Sequence, residues 1–150
     1  MTRILFVCLG NICRSTMAEF LMKDMVKKAG REDEFYIASA ATSTEALGCR
    51  VHRGTRERLA KEGISTDGKV AVQMTKNDYE KYDLILGMES ENIRNIFKII
   101  GQDPERKVMR LLDLTDNPRD IADPWYTGNF DLTYDDIKEG IEAILNRGVN

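Results

Sequence analysis

The segment RILFVC at residues 3–8 constrains the fold more than any other feature of this chain. A short, nearly unbroken apolar run is the pattern of a strand buried on both faces, as in a parallel sheet. Gly10 and Asn11 interrupt it. Residues 16–29 then carry Met17, Leu21 and Met25 at four-residue spacing, with Phe20 and Val26 beside them. That spacing predicts a helix, with Thr16 and Glu19 as a capping box at its start and Gly30 at its end. Strand, short turn and helix form the opening unit.

The alternation continues. Residues 35–40 (FYIASA) read as a second strand, and 51–62 as a charge-rich helix closed by Gly63. Residues 82–86 (YDLIL) read as a third strand, and 107–112 as a fourth. Between these two, Ile93, Ile96, Phe97 and Ile100 make a helical stripe closed by Gly101. Residues 133–146 form the last helix, with Thr133 as N-cap and Ile137, Ile141, Ile144 and Leu145 facing inward. The expectation is one α/β domain over residues 1–150, a four-stranded parallel sheet flanked by helices on both faces, of flavodoxin- or Rossmann-like type. Met17, Met22 and Met25 are assigned to its core.

Composition narrows the function. The formal net charge is −3, so a broad basic footprint for nucleic acid is absent from the composition. Arg50, Arg53, Arg56 and Arg58 form a basic cluster with acids interspersed and read as a solvated helix face. No stretch approaches the ~18 apolar residues of a membrane span, and the N-terminal run is too short for a secretory segment. A cytoplasmic protein without a membrane or nucleic-acid partner is expected, with Cys8, Cys13 and Cys49 as free thiols. The single histidine, His52, lies among arginines and reads as exposed and uninvolved.

In parallel sheets, ligands bind at the carboxyl ends of strands, and Cys8-Leu9-Gly10-Asn11-Ile12-Cys13-Arg14-Ser15 stands there. Such a loop can turn backbone N–H groups inward as an anion nest, with the following helix adding positive potential. Gly10 permits dihedrals that other residues resist, and Asn11 tolerates the left-handed region while bracing the loop. Arg14 can make two parallel bonds to a tetrahedral oxyanion. Cys8 lies beneath that anion, where the positive ends favour a thiolate, and Ser15 can donate its hydroxyl to the sulfur. With 12 arginines and three cysteines in the chain, the bare Cys-x5-Arg spacing is weak evidence; the strand before and the helix after give it weight. A leaving alkoxide or phenoxide needs a proton, and with no nearby histidine a carboxylic acid must supply it. Asp123-Pro124-Trp125-Tyr126 offers one within the aperiodic stretch 117–130, with Pro124 pushing Asp123 to an extended backbone and two aromatic walls beside it.

CLGNICRS after the first strand and DPWY near residue 123 resemble the low-molecular-weight protein tyrosine phosphatases. SAATS at 39–43, the Gly63-Ile64 helix end and ILGMES at 85–90 match in kind and order, so the resemblance covers nearly the whole chain. It implies a metal-independent, cofactor-free hydrolysis of phosphotyrosine-type monoesters on proteins or small aryl phosphates, by a monomer or weak homodimer. It makes Cys8 the nucleophile of a phosphocysteine intermediate. Arg14 and the amides of Leu9, Gly10, Asn11, Ile12, Cys13 and Arg14 hold the phosphoryl oxygens, and Asp123 acts as general acid and then base. Asn11, Ser15 and Ser39 would brace the loop. Cys13 matches a loop cysteine that can shield Cys8 as a reversible disulfide, or simply a small packed residue. Trp125, Tyr126 and the region of Glu45 would line the substrate pocket.

Three departures stand out. Thr16 replaces the usual proline, Lys69 falls where a bracing histidine is common, and Glu45 lies where many members carry an aromatic wall. The bracing is therefore expected to be incomplete or rearranged, and Trp125 and Tyr126 to do more of the substrate selection. Competing readings remain. An arsenate reductase of this fold needs two later cysteines, and none follows Cys49. A protein-arginine phosphatase typically has threonine where Ile12 stands. A phosphocysteine carrier needs neither Arg14 nor Asp123, and a non-catalytic binding module is the last alternative.

Overall fold

In a computed structural model describing residues 1–147, side chain of the last excepted, the near-continuous apolar run becomes β1 (Thr2–Cys8) at an inner position of the sheet. The remaining strands are β2 (Phe35–Ala41), β3 (Leu84–Gly87) and β4 (Val108–Arg110), in the order β2-β1-β3-β4 and all parallel. Six helices accompany them among the described residues: α1 (Arg14–Lys28), α2 (Arg53–Ala60), α3 (Asp78–Lys81), α4 (Ser90–Ile100), α5 (Pro124–Thr127) and α6 (Phe130–Arg147). Residues 148–150, included in the expected domain, lie outside the described residues.

Period-two alternation along β1 feeds two cores. Ile4, Phe6 and Cys8 pack with α1, α6 and Leu59 of α2, while Leu5 and Val7 pack with Tyr79 of α3 and Ile96 and Ile100 of α4. The fold-class expectation thus holds, with helices on both faces. Met17 and Met22 are fully buried in the first core and Met25 packs against it. The order reverses direction between β1 and β3, so the loops after these two strands open a crevice at their carboxyl ends.

Several element ends differ from the sequence reading. Helix α1 begins at Arg14, two residues before the expected start, and Thr16 and Glu19 form no capping box. Thr16 Oγ1 donates to the Cys13 carbonyl at 3.1 Å, and Glu19 is buried. The far end is as expected: Gly30 takes φ 69°, with its N–H on Lys27 and that of Arg31 on Val26, a Schellman closure. Helix α6 begins at Phe130 because Asn129, not Thr133, accepts the Leu132 N–H, at 3.0 Å; Thr133 is buried and donates to main-chain carbonyls. The fourth strand stops at Arg110 and turns into a 3-10 segment, Leu111–Leu114. Of the basic cluster, Arg58 is not a solvated charge. Its guanidinium lies 3.8 Å from the Tyr134 ring centroid and pairs with Glu62 and Asp131, fastening α2 to α6.

Candidate active site

Between β1 and α1 the chain makes one tight loop, and Asn11 at its centre takes φ 56°. An asparagine tolerates this left-handed conformation better than most residues, and its fully buried carboxamide then has three partners. Nδ2 donates to Ser15 Oγ at 2.8 Å and to Ser39 Oγ at 2.9 Å, and Oδ1 accepts the Val72 N–H at 3.2 Å. Ser15 Oγ lies 3.0 Å from Cys8 Sγ. When Cys8 is a thiolate it can only accept, and the Ser15 hydroxyl is then the donor of this pair. Ser39 in turn donates to Glu19 Oε1 at 2.5 Å. Asn11 thus joins, through Ser15 and Ser39, the Cys8 sulfur to the Glu19 carboxylate. Gly10 does not use a left-handed dihedral, contrary to the sequence reading; a side chain there would meet only ordinary contacts with Ile12 and Ala46.

Arg14 opens α1 and is 3 % exposed, so its charge must be paired. Nη1 bonds the Glu89 carboxylate and the Ile121 carbonyl, the latter at 2.8 Å, and Nη2 lies 3.4 Å from Asp123 Oδ2. Ile121 also donates its N–H to the Met88 carbonyl at 2.9 Å, tying the acid-bearing loop to the end of β3. Asp123 is extended (φ −79°, ψ 114°) ahead of Pro124, as expected, and caps α5 by accepting the Trp125 N–H at 3.0 Å. Cys8, Leu9, Gly10, Ile12, Cys13, Arg14, Glu45, Ala46, Asp123, Trp125 and Tyr126 line one cavity of about 290 Å³. A sulfur, a fixed guanidinium, the positive end of α1 and a carboxyl thus share one concave site with aromatic walls.

The model of the family "Low molecular weight phosphotyrosine protein phosphatase" matches residues 3–149. The chain belongs to that family. It is 41% identical to the low molecular weight protein-tyrosine-phosphatase YfkJ of Bacillus subtilis, over 97% of this chain and 94% of that one. The crystal structure of YfkJ superposes with a TM-score of 0.92, covering 97% and 93% of the two chains. A low molecular weight protein tyrosine phosphatase from Streptococcus pyogenes is 36% identical (TM-score 0.88, 100% of this chain and 95% of that one). DARP, a Drosophila arginine phosphatase, is 26% identical (TM-score 0.88, 100% and 99%). The protein is a phosphatase, and no helix among its described residues is long and apolar enough to cross a membrane.

Within this phosphatase, the bracing around Lys69 is rearranged rather than incomplete. Lys69 Nζ donates to the Ser39 carbonyl at 3.0 Å and stands 3.5 Å from Glu19 Oε1, while Lys23 bonds Glu19 Oε2 at 2.6 Å. Sequence reasoning missed Glu19 and Glu89 as parts of the site. The signal for Glu19 was its place one turn after Ser15 on the buried face of α1; for Glu89, its place just beyond the carboxyl end of β3. The reading of His52 as exposed and uninvolved is overturned. Its ring is half-buried, Nδ1 accepts the Gly54 N–H at 3.0 Å, and it lies edge-on to Trp125 and flat against Phe130. The two loop cysteines also differ in kind. Burial pushes the Cys13 thiol up to about 12, helped by negative charge at Cys8 and Asp123 and opposed by Arg14.

Proposed function

We propose that this phosphatase hydrolyses phosphotyrosine-type monoesters, on proteins or small aryl phosphates, through a phosphocysteine intermediate. The observation that carries the proposal is that Cys8 and Arg14 of one loop line a single cavity with Asp123, 109 residues beyond Arg14. The Cys8 sulfur attacks phosphorus; the S–P bond forms as the ester P–O bond breaks, and Asp123 gives its proton to the departing phenolate. Water then attacks the phosphocysteine, Asp123 takes its proton, and the sulfur leaves with the bonding pair. Arg14 and the loop amides offset the charge that develops on the phosphoryl oxygens. Ile12, Trp125 and Tyr126 are walls suited to a phenyl ring. A reducing, cytoplasmic setting belongs to the same proposal, since the nucleophile must stay a thiol, as does action as a monomer or weak homodimer.

The likeness to DARP supports a second reading, phosphoarginine hydrolysis at the same sulfur. Turnover of phosphotyrosine, phosphoserine, phosphoarginine and arsenate by the purified protein separates the two, and phosphotyrosine is expected to dominate. Cys8→Ser should abolish hydrolysis, and Asp123→Ala should cost about 10²–10⁴-fold with a phenolate leaving group. Chelators should leave the rate unchanged and thiol alkylation should end it. A requirement for a divalent ion, or full turnover after alkylation of Cys8, would sink the proposal.

A further inference from the structure

We propose that His52 is a positioning residue for the acid loop, its imidazole holding Trp125, and through it Asp123, in register with the phosphate-binding loop. Its main chain is fastened to that loop. The His52 N–H donates to the Ile12 carbonyl at 2.8 Å, and Thr55 Oγ1 donates to the Cys13 carbonyl at 3.1 Å. Its side chain is fastened to the acid loop. The ring is held by the Gly54 N–H on Nδ1 and meets the Trp125 indole edge-on, with centroids 5.3 Å apart and planes at 70°. The main-chain N–H of Trp125 is in turn the donor that fixes Asp123 Oδ1. One residue therefore spans the two halves of the site.

Phe130, at the start of α6, backs the imidazole at 5.5 Å, with planes only 12° apart. Glycine at 54 is what permits this approach, because a Cβ there would stand 2.2 Å from Phe130 Cζ. Trp125 is 59 % exposed, so a contact that fixes its ring decides where the pocket wall stands. Misplacing a catalytic group by an ångström can cost about 10²-fold, and the acid is two residues from the clamped indole.

Trp125 is the chain's one tryptophan, so its emission reports this contact directly. His52→Asn keeps a good N-cap acceptor for Gly54 and removes the ring; His52→Phe keeps a ring and removes the acceptor. The Asn variant, folded by circular dichroism, should be quenched by acrylamide more strongly, by up to about 1.7-fold given the 59 % exposure of Trp125. It should lose about fivefold or more in kcat/KM for phenyl phosphate, and less for p-nitrophenyl phosphate, whose leaving group needs less protonation. His52→Phe should recover most of both effects, and Gly54→Ala, which displaces Phe130, should reproduce the Asn variant. Wild-type quenching in His52→Asn, equal losses on the two esters, or no recovery in His52→Phe would each overturn the proposal. The kinetic comparison rests on the phosphatase reading above and the quenching comparison does not. If the wild-type protein hydrolysed neither ester, that reading would fail while the quenching result still judged the clamp.

Discussion

Cys8 and Cys13 share one loop, yet their surroundings separate them chemically. Cys8 is hydrogen-bonded to the Ser15 hydroxyl and lines the cavity beside Arg14. Cys13 is held as a thiol at neutral pH by burial first and by neighbouring negative charge second. Iodoacetamide at pH 7 should therefore modify Cys8 and the exposed Cys49 and spare Cys13, with phosphate protecting only Cys8. Peptide mass spectrometry reads the outcome, and labelling of Cys13 at a comparable rate would refute the assignment. At this scale the residues of the Cys8–Arg14 loop were legible because their chemistry is local. Glu19, Glu89 and His52 were not, because each is recruited by a partner 20 to 75 residues away.

At the scale of elements, strands β1 and β2 lay within a residue of expectation because buried strands announce themselves as apolar runs. Helices α3 and α5, four residues each, are too short to show a helical period. The start of α1 was hidden because Arg14 and Ser15 look like loop residues and are buried only by the site they build. Two contacts between elements can be tested. In the turn between α4 and β4, burial raises the Asp103 carboxyl. Bonds from the Tyr79 hydroxyl and the Lys107 and Val108 N–H groups outweigh this and hold it below the usual range. A depressed folded-state pKa contributes stability above the unfolded value, near 4, that is lost as pH falls through the folded value. Asp103→Asn should cost about 1–3 kcal/mol at pH 7, and its deficit against the wild type should shrink below about pH 4; a deficit constant with pH would contradict this. Gly140 on α6 leaves no room for a Cβ, which would stand 2.4 Å from Leu111 Cγ. Although alanine favours helix, Gly140→Ala should destabilise the protein by about 1–3 kcal/mol in urea unfolding.

For the whole molecule, the sheet order matters most. Reversal between β1 and β3 brings the Cys8–Arg14 loop, Glu89 and the Asp123 loop into one crevice, with Arg14 bonded to the Glu89 carboxylate and, through the Ile121 carbonyl and Asp123, to the Asp123 loop. An anion bound there stabilises the native state by mass action. Inorganic phosphate at about 100 times its Kd should add about 2.7 kcal/mol to the unfolding free energy. Thermal melts should show the gain in Cys8→Ser and not in Arg14→Ala; an equal gain in both would place the anion elsewhere. The parallel α/β class and the candidate residues Cys8, Arg14 and Asp123 could be read along the chain, since apolar runs, turn residues and Cys-x5-Arg are short-range patterns. What holds those groups in place emerges only once the chain is folded. Lys69 on Glu19, Glu89 on Arg14 and His52 on Trp125 are pairings across the fold. A buried charge or ring takes whichever partner the packing brings within reach, and no local spacing encodes that choice.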